Sequence, residues 1–411
     1  MPIIGNAIIG QSGGPTAVIN ASLIGAVDAA LASRGRIRSV YGMRYGAEGF
    51  MQDMLVDLGK QSRSVLNGIR VTPSSALGSC RLKLKDEHFP RILEQFKRYD
   101  IRYFFLIGGN DTMDTIHRIE AYCKTQGYEL CGVGIPKTVD NDLFGTDHTP
   151  GYGSAATYVA RSVAQEGLLA RDMQKVDPLV VFQTIGRSAG WLPAAAALAK
   201  RDEADAPHLI YMPERPFDDE RCLNDAQRCI DRYGFCSIVC GEGITYADGT
   251  PVSASRTTDK FNNVEFGAIA GTSAAMSIHR LICSRLNIRG EFQITESLQM
   301  CASDRVSELD RKEAYACGQQ AVRLALKGQT GIMVTLQRPA GRYRTTLGTI
   351  PLHEVAVHAR PLPDAYITRE GNFVNQAFFE YIRPLIAPIS DFTTLHWKAP
   401  KPAGNSVKAK R

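Results

Sequence analysis

Short apolar, β-branched runs alternate along the chain with longer segments of helical period. Ile3–Ile9 is followed by Pro15–Arg34, Ile101–Ile107 by Thr112–Gly127 and Leu179–Ile185 by Ala189–Arg201, while Asp219–Tyr233 precedes Ile238–Cys240. Alternation of this kind builds parallel sheets covered by helices. Its recurrence predicts an α/β fold of two doubly wound, Rossmann-like domains with parallel sheets. Ligands of such sheets sit outside the carboxyl ends of the strands, so the loops after Ile9, Ile107, Ile135 and Ile185 are where chemistry is expected.

Composition narrows the partners. Lys+Arg total 48 against 42 Asp+Glu, a net +6, but Lys398, Lys401, Lys408, Lys410 and Arg411 supply five of these from an acid-free end and leave the body near +1. A body so close to neutral argues against a duplex-binding protein, which needs a basic face to neutralise several phosphates, and no nucleic-acid partner is expected. The end from Lys398 reads as a frayed tail. Ten cysteines are scattered without a CxxC pair and read as reduced, mostly buried small hydrophobes. No stretch reaches the ~18 apolar residues of a membrane span, and the apolar opening Met1-Pro2-Ile3-Ile4 has no basic leader and runs straight into a glycine-rich turn, so no membrane partner and a cytoplasmic location are expected. The histidines show no ligand spacing for a transition metal, although His148 falls near the expected cleft. Trp191 and Ala194–Ala199 read as the packed face of a helix.

Three loops carry polar chemistry. Gly10-Gln11-Ser12-Gly13-Gly14-Pro15-Thr16 joins a strand to a helix whose first turn takes the proline; its glycines suit close approach to a phosphate, and by itself it is equally a tight turn. In Gly108-Gly109-Asn110-Asp111-Thr112 a carboxylate stands at a helix start, where it is a helix cap or a ligand. Pro136-Lys137-Thr138-Val139-Asp140-Asn141-Asp142 gathers an amine, a hydroxyl and two carboxylates beyond the strand containing Gly132–Ile135. An extended segment would point Asp140 and Asp142 to one side, one to hold a metal and the other to take a proton from a hydroxyl.

Taken in order, Gly13-Gly14, Tyr41-Gly42, Gly78-Ser79-Cys80-Arg81, Gly108-Gly109-x-Asp111, the PKTVDND stretch at 136–142, Thr149-Pro150-Gly151-Tyr152-Gly153 and Gly186-Arg187 resemble the motif series of the phosphofructokinase superfamily over roughly residues 5–330. The resemblance implies the phosphofructokinase fold, with the active site between two domains. A donor domain would take residues 1–150 with about 299–350, and a sugar domain 151–298 with about 351–397. It implies a catalytic set of Asp140 as the base on the sugar hydroxyl, Thr138 against the transferred phosphoryl group and Lys137, with Mg²⁺ held by Asp142 and Asp111. Gly13, Gly14, Arg81, Gly109, Asp111 and Lys137 would meet the donor; Thr138, Asp140, Asp142, Gly186, Arg187, Glu242 and Arg289 would face the acceptor. A homodimer or homotetramer is expected.

Within that family, ATP users carry glycine at the positions of Asp111 and Lys137, and pyrophosphate users carry Asp and Lys. Both positions here imply pyrophosphate: the Asp111 carboxylate repels a nucleotide α-phosphate, and Lys137 brings charge to a shorter donor. The acceptor pocket departs from the pattern. Pro178 stands where related pyrophosphate enzymes have a cation, and Gln299-Met300 where they have Gln-Arg; Arg289 matches a basic residue that reaches a neighbouring subunit's acceptor phosphate. Three explanations stay open: Arg305, Arg161 or Arg171 supplies the missing charge; the acceptor is another sugar or polyol without a distal phosphate there; or the chain is a non-catalytic partner in a mixed oligomer. Retention of Asp111, Lys137, Asp140 and Asp142 counts against the last.

Overall fold

A computed structural model describes residues 3–33, 35–80, 82, 84–253, 272–393 and 395. Arg81 and the basic end from Lys398 lie outside the described residues.

The alternating pattern folds into two sheets. The larger contains β1 (Gly5–Gln11), β2 (Ile37–Met43), β3 (Leu55–Asp57), β4 (Ile101–Gly108), β5 (Cys131–Pro136), β10 (Ile332–Gln337) and β11 (Thr346–Pro351), in the order β11-β10-β5-β4-β1-β2-β3. The smaller has β6 (Leu179–Thr184), β7 (Leu209–Tyr211), β8 (Cys236–Gly241) and β9 (Gly290–Ile294), in the order β7-β8-β6-β9. The small sheet is parallel throughout, as expected. The large one is mixed, because β3 and β11 join its two edges antiparallel. Each edge strand pairs with the strand that precedes it in sequence, β11 after a short loop and β3 after the helix at Gly46–Met51, and an antiparallel pair needs no crossover to the far end of the sheet.

Strands buried on both faces need apolar residues at every position, which is why they read as continuous runs. Along β4, Tyr103, Phe105 and Ile107 enter one core with the helices at Ile19–Leu31 and Glu308–Leu326, while Phe104 and Leu106 enter another with the helices at Phe89–Arg98 and Asn110–Thr125. Around the small sheet, Val181 and Ile238 face the helices at Asp219–Tyr233 and Ala274–Leu286; Phe182 and Val239 face Tyr152–Asp172 and Trp191. Helices Ile19–Leu31 and Glu308–Leu326 touch backbone to backbone. A β-carbon on Gly25 would lie 2.1 Å from the Tyr315 carbonyl oxygen, and one on Gly318 2.0 Å from that of Ser22.

Two local expectations fail. The first helix begins at Ile19, four residues beyond Pro15, so the Gly13-Gly14 loop does not open directly into it. The expected helix over Ala189–Arg201 is a short helix, Trp191–Ala195, continued as a tighter turn to Ala199, because Gly190 starts it and Lys200 is already extended. All ten cysteines are free and none is exposed, and among the described residues no helix is long and apolar enough to cross a membrane.

Candidate active site

Strand register lines up the loops. Gln11 pairs with Ile107 and Gly108 with Pro136, so the loops after β1, β4 and β5 leave the large sheet side by side; in the small sheet Thr184 pairs with Gly241 and delivers Gly186-Arg187 and Glu242 together.

The first three loops are tied to one another. The Ser12 amide donates to the Ile107 carbonyl (3.0 Å) and the Lys137 amide to that of Gly108 (3.1 Å). The Lys137 ammonium donates to the Gly14 carbonyl at 2.6 Å. Burial lowers the Lys137 pKa to about 8, partly offset by the charges of Asp140 and Asp142. The Ser79 hydroxyl donates to the Gly13 carbonyl (2.7 Å), which fixes the segment leading to Arg81 against the glycine loop. Gly109 caps the helix at Asn110–Thr125, and Asp111 is exposed in its first turn. Beside it the Asn110 Oδ1 is buried without a hydrogen-bond partner.

The carboxylate loop is not extended as its spacing suggested. Asn141 is left-handed (φ +56°), a conformation asparagine tolerates better than most residues. Its Oδ1 accepts from the Thr149 amide (3.0 Å) and its Nδ2 donates to the Tyr381 hydroxyl (2.9 Å). Asp140 and Asp142 therefore flank a fully buried pivot, both half-buried themselves. The Thr138 hydroxyl accepts from the Asp140 amide at 3.1 Å. Burial pushes the Asp140 carboxyl up to about 7, with Asp142 and Glu242 adding to the rise and Lys137 and Arg187 opposing it. Burial likewise raises Asp142, against its own amide, the Thr138 hydroxyl and Arg360. Burial raises Glu242 to about 7, opposed by Arg187 and the Gly186 amide. Gly186 has φ +112°, a position only glycine holds without strain, and a β-carbon there would reach 3.7 Å from Asp140 Oδ1. Lys137, Asp140, Asp142, Arg187 and Glu242 thus form one electrostatic cluster spanning the two sheets.

A glycine-lined loop with a buried ammonium on one side and a carboxylate raised toward neutrality on the other offers parts that moving a phosphoryl group to a hydroxyl requires. The sequence agrees: the family model for phosphofructokinase matches residues 6–325. The chain belongs to the phosphofructokinase family. It is 38% identical over 388 residues to the pyrophosphate–fructose 6-phosphate 1-phosphotransferase of Halomonas elongata, covering 93% of this chain and 91% of that one. A sulfofructose kinase of Alkalicoccus urumqiensis is 33% identical over 390 residues, 94% of this chain and 97% of the relative. The crystal structure of a pyrophosphate-dependent phosphofructokinase from Marinobacter aquaeolei superposes with a TM-score of 0.84 at 34% identity, over 97% of this chain and 95% of that one.

Not every residue named from the phosphofructokinase motifs joins the cluster. Arg289 sits just before β9, paired with Asp177 at 3.2 Å, at the amino end of the small sheet. The length of β6, about 20 Å at ~3.3 Å per residue, separates that end from Arg187. Pro178 is at the same end. The three arginines considered as substitutes are engaged elsewhere: Arg171 with Asp205 (2.5 Å), Arg161 with the Pro388 carbonyl (2.6 Å) and Arg305 with the Ser162 hydroxyl (2.5 Å) and the Tyr158 ring. Met300 lies on the donor side, where a β-carbon on Gly14 would come within 3.3 Å of its sulfur. Gln299 is buried and accepts from the Ile185 amide at 3.3 Å.

The structure also recruits residues with no motif to announce them. Arg360 and Tyr381 close the back of the carboxylate loop. Asp310 accepts from the Gly151 amide (2.8 Å) and the Ser154 amide (2.9 Å) and so holds the start of the helix at Tyr152–Asp172. His148 is buried between Asp147 (Nδ1, 2.8 Å) and Glu313 (Nε2, 2.8 Å). Burial disfavours its charged form, but these two carboxylates outweigh it and its pKa is raised. Trp191 is packed as expected, yet one face of its indole carries the Arg360 guanidinium at 4.3 Å.

Proposed function

We propose that this phosphofructokinase-family enzyme transfers a phosphoryl group from pyrophosphate to the 1-hydroxyl of fructose 6-phosphate, reversibly and with Mg²⁺. The observation that carries the donor reading is the Lys137 ammonium, buried beside the Gly13-Gly14 loop at the family position where ATP users have glycine. Gly13, Gly14, Arg81, Gly109 and Lys137 hold the donor, and Asp111 repels a nucleotide's α-phosphate. Asp140 takes the proton of the acceptor hydroxyl as its oxygen forms a bond to phosphorus; the bridging bond of pyrophosphate breaks and orthophosphate leaves. A carboxylate with a pKa near 7 suits that task at neutral pH. Thr138 steadies the transferred group, and Gly186, Arg187 and Glu242 bind the sugar.

Among the described residues no three His, Cys, Asp or Glu side chains gather into a metal site. Mg²⁺ asks for less, one or two carboxylates with waters and substrate phosphate oxygens. The hard carboxylate oxygens of Asp142 and Asp111 are of the type such a loosely held ion takes, and the Asn110 Oδ1, next to Asp111 in the chain, is buried without a partner. It would supply charge neutralisation at the phosphoryl oxygens. We take the large sheet with residues 1–150 and 299–350 as the donor unit and 151–298 with 351–397 as the acceptor unit. Arg289 belongs to an acceptor pocket completed across a subunit contact in a homo-oligomer.

A second reading of the acceptor is favoured by the engagement of Arg161, Arg171 and Arg305 elsewhere, which leaves none of them to supply the charge of a distal phosphate. Fewer cations suit a distal sulfonate, which bears one charge, better than a phosphate, and one relative is a sulfofructose kinase. Assays with Mg²⁺, pyrophosphate or ATP, and a panel of fructose 6-phosphate, sulfofructose and unphosphorylated sugars test both. Turnover of fructose 6-phosphate with pyrophosphate alone, and regeneration of pyrophosphate from orthophosphate and fructose 1,6-bisphosphate, is the expected result. Preference for ATP overturns the donor reading, and preference for sulfofructose selects the second acceptor.

A further inference from the structure

The loop bearing Asp140 and Asp142 stands outside both sheets, so its carbonyls need partners from elsewhere. One side chain meets most of that need. Arg360 Nε and Nη2 donate to the Asn141 carbonyl at 3.2 and 2.9 Å, and Nη1 donates to the carbonyls of Thr146 (2.8 Å) and Asp147. The Arg360 amide adds a bond to the Asp142 carbonyl (2.8 Å). Backbone on both sides of Asp142 is thus tied to one residue.

The arginine is itself immobilised. Its guanidinium lies over the buried Trp191 indole, whose Nε1 donates to the Arg360 carbonyl at 3.1 Å. The Tyr381 hydroxyl, within 3.5 Å of Arg360 Nη2, accepts from Asn141 and donates to the Asp147 carbonyl (2.8 Å). A planar fork of five donors matches such a set of carbonyls; a lysine, with one nitrogen, does not. Arg360 and Tyr381 both lie beyond residues 6–325, the part that matches the family pattern.

We propose that Arg360 is a positioning residue for phosphoryl transfer, fixing the loop that carries Asp140 and Asp142 from behind while touching neither substrate. The inference rests on the role given above to those two carboxylates. Because displacing a reacting group by about 1 Å lowers rates on the order of 10²-fold, loss of the grip should appear in kcat rather than in KM.

The test compares wild type, Arg360→Lys and Arg360→Gln in steady-state kinetics with pyrophosphate and fructose 6-phosphate. Amide hydrogen exchange of the peptide spanning 139–151 is measured in parallel. We expect kcat to fall about 10²-fold in Arg360→Gln and less in Arg360→Lys, with both KM values within about threefold of wild type. Exchange of 139–151 should rise in the same order, with β1 and β4 unchanged. Wild-type kcat in Arg360→Gln, unchanged exchange in 139–151, or an effect confined to KM each overturns the inference. If Arg360→Gln does not fold, Arg360→Lys decides on the same readouts. A wild-type enzyme inert with pyrophosphate and every acceptor overturns the proposed function instead, and the exchange of 139–151 still reports whether Arg360 holds the loop.

Discussion

At the scale of single residues, Asp140 makes a prediction with two signs. Its carboxyl is raised by burial to about 7, so with Asp140 as the proposed base the ionised form is lost below that pH and kcat/KM should drop about tenfold per unit on the acid side. Asp140→Asn should lower kcat by about 10²–10⁴-fold while leaving the fold intact. For stability the same shift runs the other way. A carboxylate raised above its ordinary ~3.9 contributes stability below that value which is lost as pH rises through about 7. Asp140→Asn should therefore melt above wild type at pH 8, with the difference closing near pH 4. Calorimetry across that range checks it, and equal melting temperatures at pH 8 would show that the charge is not strained. For the donor, Asp111→Gly with Lys137→Gly should narrow the gap between pyrophosphate and ATP, read as the ratio of kcat/KM values. The PKTVDND stretch made most of these residues legible because residue type and order carry the chemistry. What spacing did not convey was the left-handed turn at Asn141, which depends on Tyr381 and Thr149 reaching it from other elements.

Elements were legible where period and burial agree. The helix at Asp219–Tyr233 has the bounds its pattern gave, because Asp218 caps it and Gly234 ends it in a left-handed turn. The antiparallel edges of the large sheet were not legible, since Leu55–Asp57 is too short to show a period and Thr346–Pro351 alternates weakly. The closest helix contact was hidden as well: neither Gly25 nor Gly318 is a turn residue, and each matters only through the backbone opposite. Gly318→Ala should destabilise by about 1–3 kcal/mol, because the new methyl meets main chain that no rotamer change can move. Chemical denaturation should show this as a lower midpoint with unchanged slope. An unaltered midpoint would mean the two helices slide apart freely. Arg360 and Tyr381 were invisible for a related reason: each works by gripping main chain or a remote side chain, and such contacts leave no local signature.

For the molecule as a whole, the decisive feature is that Arg289 and Arg187 stand at opposite ends of the same small sheet. A single chain cannot close both around one acceptor. If each pocket borrows Arg289 from a neighbour, damage to the two residues becomes separable between chains. Asp140→Asn and Arg289→Ala should each be poorly active alone, the first in kcat and the second in KM for the acceptor. Unfolded together and reassociated as dimers, half the particles would pair one of each, and in these one pocket has an intact base facing an intact arginine. The mixture should regain about a quarter of wild-type activity, appearing only on subunit exchange and disappearing on dilution below the assembly range. Two defective chains would then be worth more than either, a form of genetic complementation written into the length of one six-residue strand.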